Sequence, residues 1–576
     1  MSENIELQIK QFALENALKY KGKANSKFVL GQLLSNNKEY RSKTSEIMPI
    51  INKITEEINS LELNKQEELL KEINPSFFTK KKEPKKERNI FSFLHIEEQE
   101  NVITAFPPSP EKHYHIGHAK AILLNYILAK QYNGKFYLRF EDTNPNNVKP
   151  EYYQVMQDDI SWLGVKWDKI QYACDYMDIF IDYAEQLIKK NQAYVCVCSS
   201  EEISKNRRTG DVCSCRNRSV QENLKYWYDM KRDLPAGKAL LRLKIDMKHK
   251  NYRMRDPGIF RILEQEHSRL GYKYRIYPMY DFQNAIMDGY FNITHRLRTI
   301  EFEMAAELHH YIRKIFGLYD TTTYEFSRFN LEGMISSGRA IRAKVESGEL
   351  MGWDDPSLPT LAALRRRGFS PKAIKNLVIE SGITKSAGAT LTWDILYKYN
   401  RKVLNDEAKR FFCIIDPVEI TVEDDPKRNY YLNMHPMLDL GVRNFISNGT
   451  YYLEKEDVDC FENNTLVRLM DNINFTVSID DNNKSYKFHS QDYINYKNCK
   501  DSKRIIHSLP KDNNQLVNIT ILKPDHTKLE AKAEKIIDVL KIGDVIQFER
   551  FAFCRLDSIS EDDDKNKIYN FWYTHK

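Results

Sequence analysis

Between Asn101 and Val165 the chain alternates strand and helix signals, and no other feature narrows the fold as much. NVITAF, 101–106, is an apolar run of strand length; a proline-rich turn follows, and His115 to about Tyr132 carries apolar residues at helical spacing. KFYLRFED, 135–142, repeats the strand signal, and YYQVMQDDISWLGV, 152–165, is helical again. Strand, helix and strand in succession predict a parallel α/β sheet, because a crossover of helix length is what returns the chain to start a neighbouring strand in the same direction. A second stretch of the same texture, YRIYPMYDFQNAIMDGYFNITHRLR, lies at 274–298.

At 576 residues the chain exceeds one hydrophobic core, since domains run to roughly 100 to 200 residues. Residues 1–79, with Ile50, Ile51, Ile54, Ile58 and Leu61 at helical spacing, read as a helical module. Residues 80–99 open on KKKEPKKER, which holds nothing apolar to bury and reads as a basic linker. The α/β core is expected at 100–195 and 274–330, split at 196–273 by a polar insertion with a cysteine cluster. Helical spacing returns within 331–410, and 411–576 holds short alternating segments, TLVRLM, NFTVSI and DVIQFERFAFCRL, expected as strands between Asn and Asp turns.

With 87 basic and 81 acidic residues the net charge is only +6, so the chain is no generic polycation and any anion must be met by a local patch. The longest apolar run, Ala121 to Ala129, is broken by Asn125 and Tyr126, and a bilayer span needs about 20 residues. The opening MSENIELQIK lacks the pattern of a signal peptide, so the expectation is a soluble cytoplasmic protein with no membrane partner. In that compartment nine cysteines point to free thiols or metal ligands rather than a disulfide scaffold.

The first site is HIGH, His115 to His118, where the turn after the first strand opens a helix. His115 and His118, at i and i+3, share one helical face. Unpaired amides at a helix start favour phosphate, and Gly117 lets an adenine or ribose come close to the backbone. ATP is the expected ligand, although no GxxxxGK[ST] phosphate loop stands here.

FPPSPEKHYHIGHAKAILLNYILAKQYNGKFYLRFEDTNP, then YPMYDF with ITHRLRT, then WDDPSLPTLAALRRRGF, then QFERFAFCRLD with FWYTHK, run in that order along the chain. Together they resemble the class I aminoacyl-tRNA synthetases of the glutamyl and glutaminyl subgroup, in the archaeal form, from about Asn101 to the end. The resemblance implies a multidomain chain: an α/β Rossmann-like catalytic core, an acceptor-stem insertion, a helical domain contacting tRNA, and carboxy-terminal β-barrels that read the anticodon. It implies ATP, Mg²⁺, glutamate and tRNA(Glu) as substrates and partners, and leaves tRNA(Gln) open. Within the subgroup, a glutamate side chain needs a buried cation, whereas a neutral glutamine would leave that cation unpaired. Arg298 matches the arginine of glutamyl enzymes, where glutaminyl enzymes resemble one another in having cysteine. By the same resemblance Arg139, Glu141 and Tyr280 handle the amino acid, Glu141 taking its ammonium.

Cys196, Cys198, Cys213 and Cys215 form two CxC pairs, and four thiolates can close a tetrahedral zinc site. Lys205, Arg207, Arg208, Arg216 and Arg218 nearby either meet tRNA phosphates or keep the loop soluble. Arg365, Arg366 and Arg367, in a helix, could likewise meet the tRNA, although at least one must face away from any single surface.

Three departures from the family pattern stand out. Ala105 replaces an arginine that helps hold glutamate, Glu111 and Lys112 replace a serine and glycine, and ISSGRA, Ile335 to Ala340, replaces a KMSKS-type loop with Ala340 at its lysine. Ser337, Gly338 and Arg339 are the expected ATP contacts of that loop, with Arg339 the candidate to replace the lysine at the leaving pyrophosphate. The expected reaction is formation of glutamyl adenylate and transfer to tRNA. The rivals are glutamine–tRNA ligase and a weakened paralogue that senses tRNA or amino acid.

Overall fold

The computed structural model describes residues 3–19, 22–36, 40, 44–75, 77, 89–97, 101–333, 335, 337–385, 390–480 and 483–576, and divides after Asn89 into two units. The first unit contains helices α1 (Glu3–Lys19), α2 (Ser26–Asn36), α3 (Thr44–Asn59) and α4 (Leu63–Ile73). The isoleucine spacing that predicted α3 places Ile47, Ile51 and Ile58 in a core with Ile9, Val29 and Leu70. The run KKKEPKKER lies outside the described residues.

The larger unit is built on five parallel strands. β1 (Ile103–Phe106), β2 (Lys135–Phe140) and β3 (Lys169–Tyr172) pair in one direction across the sheet, and β8 (His295–Thr299) and β9 (Thr322–Phe326) in the other, giving the order β3-β2-β1-β8-β9. Helix α5 (Ile116–Gln131) crosses from β1 to β2 and buries Ile122, Leu123 and Leu128 against Phe136, Leu138 and Phe140. Asn125, the polar break in the longest apolar run, ties the layers together. Its Nδ2 donates to the Leu297 carbonyl at 2.7 Å, its Oδ1 accepts from Leu297 N, and its own carbonyl accepts from Thr104 Oγ1.

Between the two halves of this sheet sits a separate antiparallel sheet of β4 (Ala193–Cys196), β5 (Leu240–Leu243), β6 (Gly258–Ile262) and β7 (Ile276–Pro278). The insertion is therefore wider than the expected 196–273. Ala193–Cys196 and Ile276–Pro278 read as core strands because they are buried, but their partners lie in the insertion. Helices α6 (Gly338–Glu346), α7 (Leu361–Arg366), α8 (Pro371–Ser381) and α9 (Trp393–Glu407) follow the core.

The carboxy-terminal part holds two seven-stranded sheets, one nested within the other in sequence. Arg410–Phe411 and Cys413–Ile415 join strands from 516–575, while 417–510 supplies the second sheet. DVIQFERFAFCRL is a hairpin of Val545–Phe548 and Ala552–Glu561, turning at Arg550 with φ 65°. Among the described residues no helix is long and apolar enough to cross a membrane.

Candidate active site

Strand order reverses between β1 and β8, so their following loops diverge and leave a crevice at the carboxyl ends, where open α/β sheets bind ligands. A cavity of about 520 Å³ opens there, lined by residues of the first loop, the start of α5, the end of β8 and the insertion.

One wall is the amino terminus of α5. His115 is its cap: His115 Nδ1 accepts from Gly117 N at 3.0 Å, and His118 Nδ1 accepts from His115 N at 3.2 Å. With both Nδ1 lone pairs engaged, a neutral ring carries its proton on Nε2, leaving that N–H of each histidine as a donor for a ligand. Both rings stay neutral near pH 7. Burial, then the charges of Lys112 and Arg328, hold His115 down to about 4; burial holds His118 well below its usual value, helped by the same cations. Gly117 has a reason the sequence did not reveal. A Cβ there would lie 2.8 Å from the His115 ring and 3.0 Å from the Phe329 carbonyl, so a side chain would break the cap.

The opposite wall comes from β8 and the helix before it, Tyr280–Tyr290. Strand alternation sends Arg296 and Arg298 to the same face of HRLRT. Arg298, 6% exposed, donates from Nη2 to the Tyr280 hydroxyl at 2.7 Å and from Nη1 to His309 Nδ1 at 3.1 Å, and stacks over Phe302. His309 in turn meets Asp281 through Nε2 at 3.0 Å. Burial first, then Arg298, lowers His309 to about 4, which keeps it neutral and able to accept from the guanidinium. Among the described residues no carboxylate pairs directly with Arg298, and its buried Nε has no hydrogen-bond partner. A buried cation so held is costly until an anion reaches it.

Glu141 faces the same cavity. Its Oε1 accepts from Arg139 Nε and Asn284 Nδ2, both at 3.1 Å, while its buried Oε2 has no hydrogen-bond partner among the described residues. Burial pushes its carboxyl above the usual range against the pull of Arg139 and Arg296. Arg139, expected at the substrate, lies behind the wall instead: it is fully buried, outside the cavity lining, and donates to Glu141 and at 2.9 Å to Asp288. Asp288 also receives Arg296, and together the two guanidinium groups hold its carboxyl far below the ordinary range despite burial.

Sequence reasoning missed Asp288, Asn284, Arg296, His309 and Arg261. A signal existed for two of them: Asn284 and Asp288 recur with Asp281 at helical spacing in an otherwise apolar segment, the mark of polar groups buried for a purpose. Arg261 reaches the cavity from the insertion with an Nε that has no partner among the described residues, and adjacent sequence offers no hint of it.

Ser337 caps α6, its Oγ accepting from Ala340 N. Gly338 touches the first loop, but Ser337 and Arg339 are exposed, and neither they nor Gly338 line the cavity. Ala105 is buried at the cavity wall beside Ile103 and Ile293.

In the insertion, the four cysteine sulfurs converge. Cys196 and Cys213 lie 3.8 Å apart and Cys198 and Cys215 4.0 Å apart, all four within 4.8 Å of one another. A zinc tetrahedron with bonds of about 2.3 Å has edges of about 3.8 Å, so the donor set fits that ion. The neighbouring arginines divide. Arg207 binds the carbonyls of Arg255 and Tyr252, Arg216 pairs with Asp256, and Arg218 binds the Val195 carbonyl, so these three hold loops together; Lys205 and Arg208 are exposed.

Three family models cover this chain. Residues 101–406 match the catalytic domain of tRNA synthetases class I (E and Q), and 408–492 and 467–557 match two anti-codon binding domains of the same group. The glutamate–tRNA ligase of Pyrococcus abyssi is 39% identical over 559 residues, 95% of this chain and 96% of its own. That of Pyrococcus furiosus is 38% identical over 96% of this chain and 97% of its own, and that of Methanocaldococcus jannaschii 37% over 97% and 98%. The chain belongs to the class I tRNA synthetases of the glutamate and glutamine group, among the glutamate–tRNA ligases.

Proposed function

We propose that this chain activates glutamate with MgATP to an enzyme-bound glutamyl adenylate and transfers the glutamyl group to the 3′ end of tRNA(Glu). The observation that carries the reading is the pairing of Arg298, buried without a carboxylate, with Glu141, which has one oxygen free, across a cavity that begins at a helix amino terminus. Arg298 and the Tyr280 hydroxyl take the side-chain carboxylate, and Glu141 Oε2 takes the ammonium. The α-carboxylate is thereby turned toward phosphates seated at His115, Gly117 and His118, whose Nε2 protons point no charge of their own at the site but donate to it. Attack at the α-phosphorus expels pyrophosphate, and no covalent bond to the protein forms.

Glutamine is rejected because its amide would leave Arg298 uncompensated. Nothing in the cavity speaks for tRNA(Gln) as a second acceptor. Cys196, Cys198, Cys213 and Cys215 would hold zinc as a cross-link of the insertion, supplying rigidity and no step of the reaction. The place of work is the cytoplasm, with the translation machinery.

Glutamate-dependent exchange of pyrophosphate into ATP, measured with tRNA present, tests the reading. Exchange with glutamate and at least a hundredfold less with glutamine is expected; no exchange with either would leave the weakened paralogue.

A further inference from the structure

The two loops that depart from the family pattern meet each other. The stem of Lys112, in the loop between β1 and α5, crosses the first residue of α6 so closely that a Cβ on Gly338 would lie 2.9 Å from Lys112 Cδ. One residue earlier, the Glu111 carbonyl accepts from Arg342 Nη2 at 2.6 Å. Lys112 lines the cavity beside His115 and His118, and its ammonium has no hydrogen-bond or carboxylate partner among the described residues. Its charge is also felt at both rings, where it helps to keep them neutral. Arg339, by contrast, is exposed outside the lining, and Ala340 carries no charge.

We propose that Lys112 is the cation that meets the departing pyrophosphate, doing from the first loop what a lysine at position 340 would do from the second. The assignment rests on the ligase reading above. A glutamate α-carboxylate oxygen bonds to the α-phosphorus, the bond from that phosphorus to the oxygen bridging toward the β-phosphorus breaks, and its electron pair leaves on pyrophosphate. No proton moves. Because negative charge accumulates on the leaving group only as that bond breaks, a cation placed there acts on the turnover number more than on binding. Gly338 is what lets the stem lie flat across α6, and the Arg342 bond to Glu111 keeps the two loops in register.

The test uses the full chain with tRNA. Lys112→Met keeps the stem against Gly338 and removes the charge; Lys112→Arg keeps the charge. Lys112→Met is expected to lower kcat of glutamate-dependent exchange by roughly ten- to a hundredfold, with the KM for glutamate within about threefold. Lys112→Arg should keep at least a third of the rate, and adding Ala340→Lys to Lys112→Met should recover most of it. A kcat for Lys112→Met within twofold of wild type, a loss confined to the KM for glutamate, or a larger loss from Arg339→Ala than from Lys112→Met overturns the assignment. If the wild-type chain shows no exchange, the ligase reading has failed by itself. Titration with inorganic pyrophosphate and Mg²⁺ then judges Lys112: at least tenfold weaker binding by Lys112→Met supports it, and equal binding overturns it.

Discussion

At the scale of single residues, this site works by leaving particular atoms unmatched. Arg298 is oriented by a neutral histidine and a tyrosine hydroxyl, neither of which cancels its charge, whereas Arg139 is spent on Asp288 and Glu141, and Arg296 on Asp288. That division explains how three buried arginines can share one neighbourhood while a single one stays available. Removing one partner from a buried, hydrogen-bonded charge pair costs on the order of 3 kcal/mol, roughly a hundredfold or more. Arg298→Cys should therefore lower kcat/KM for glutamate at least a hundredfold, while calorimetric titration with ATP alone changes less than threefold. Glutamate use close to the wild-type level would mean that another cation, with Arg261 the first to examine, holds the side chain. Arg298 was legible in the sequence because HRLRT resembles the block in which glutamyl enzymes carry an arginine, and a glutamate side chain needs such a cation. Its neighbours His309 and Arg261 were not, since they come from other elements and are brought in by packing alone.

At the scale of elements, the insertion shows how a motif with little core of its own is held. β4 ends on Cys196, the chain turns through Cys198 into a helix, and a short 3₁₀ turn returns Cys213 and Cys215 to the same point. Around the thiols the buried residues are few, chiefly Tyr194, Cys196 and Cys215, too small a cluster to define that geometry by burial alone. Metal analysis of protein purified without chelator should find about one zinc per chain. Cys213→Ser combined with Cys215→Ser should abolish it and speed amide hydrogen exchange across 196–219, with the five-stranded sheet unaffected. A metal-free wild-type protein with slow exchange in that segment would sink the zinc assignment. The spacing of the two CxC pairs was enough to single out these residues, because ligands close in sequence need little help from tertiary structure to converge. Which of the nearby arginines face solvent could not be read in the same way: the sequence gives their charge, and only the loops that Arg207, Arg216 and Arg218 bind reveal their employment.

At the scale of the whole molecule, the run Arg365, Arg366 and Arg367 joins the helical region to the last strands of the chain. Arg367 is fully buried and donates to the carbonyls of Pro356 and Thr574, and Arg366 forms a two-pronged pair with Asp557 and a further bond to Asp354, while Arg365 is exposed. The run thus carries one arginine for solvent and two for assembly. Arg367→Met leaves two buried carbonyls without their donor and should destabilise the larger unit by roughly 2 to 4 kcal/mol, read by urea unfolding. Arg365→Ala should stay within about 0.5 kcal/mol of wild type. Equal effects of the two changes would show that burial of Arg367 contributes nothing to holding the regions together.

The sequence by itself determined the parallel α/β core, the helical first unit, the cysteine pairs and the family, because each is written in local periodicity, spacing or ordered motifs. Tertiary structure alone decided that Arg139 stands behind the cavity wall, that Lys112 and not Arg339 lines the cavity, that strands at 193–196 and 276–278 belong to the insertion, and that one carboxy-terminal sheet is threaded inside the other. The physical reason is common to all four. Periodicity states whether a residue is buried and on which face, but the identity of its partner depends on segments far along the chain, and so does the choice between a charge that is neutralised and one left open for a substrate.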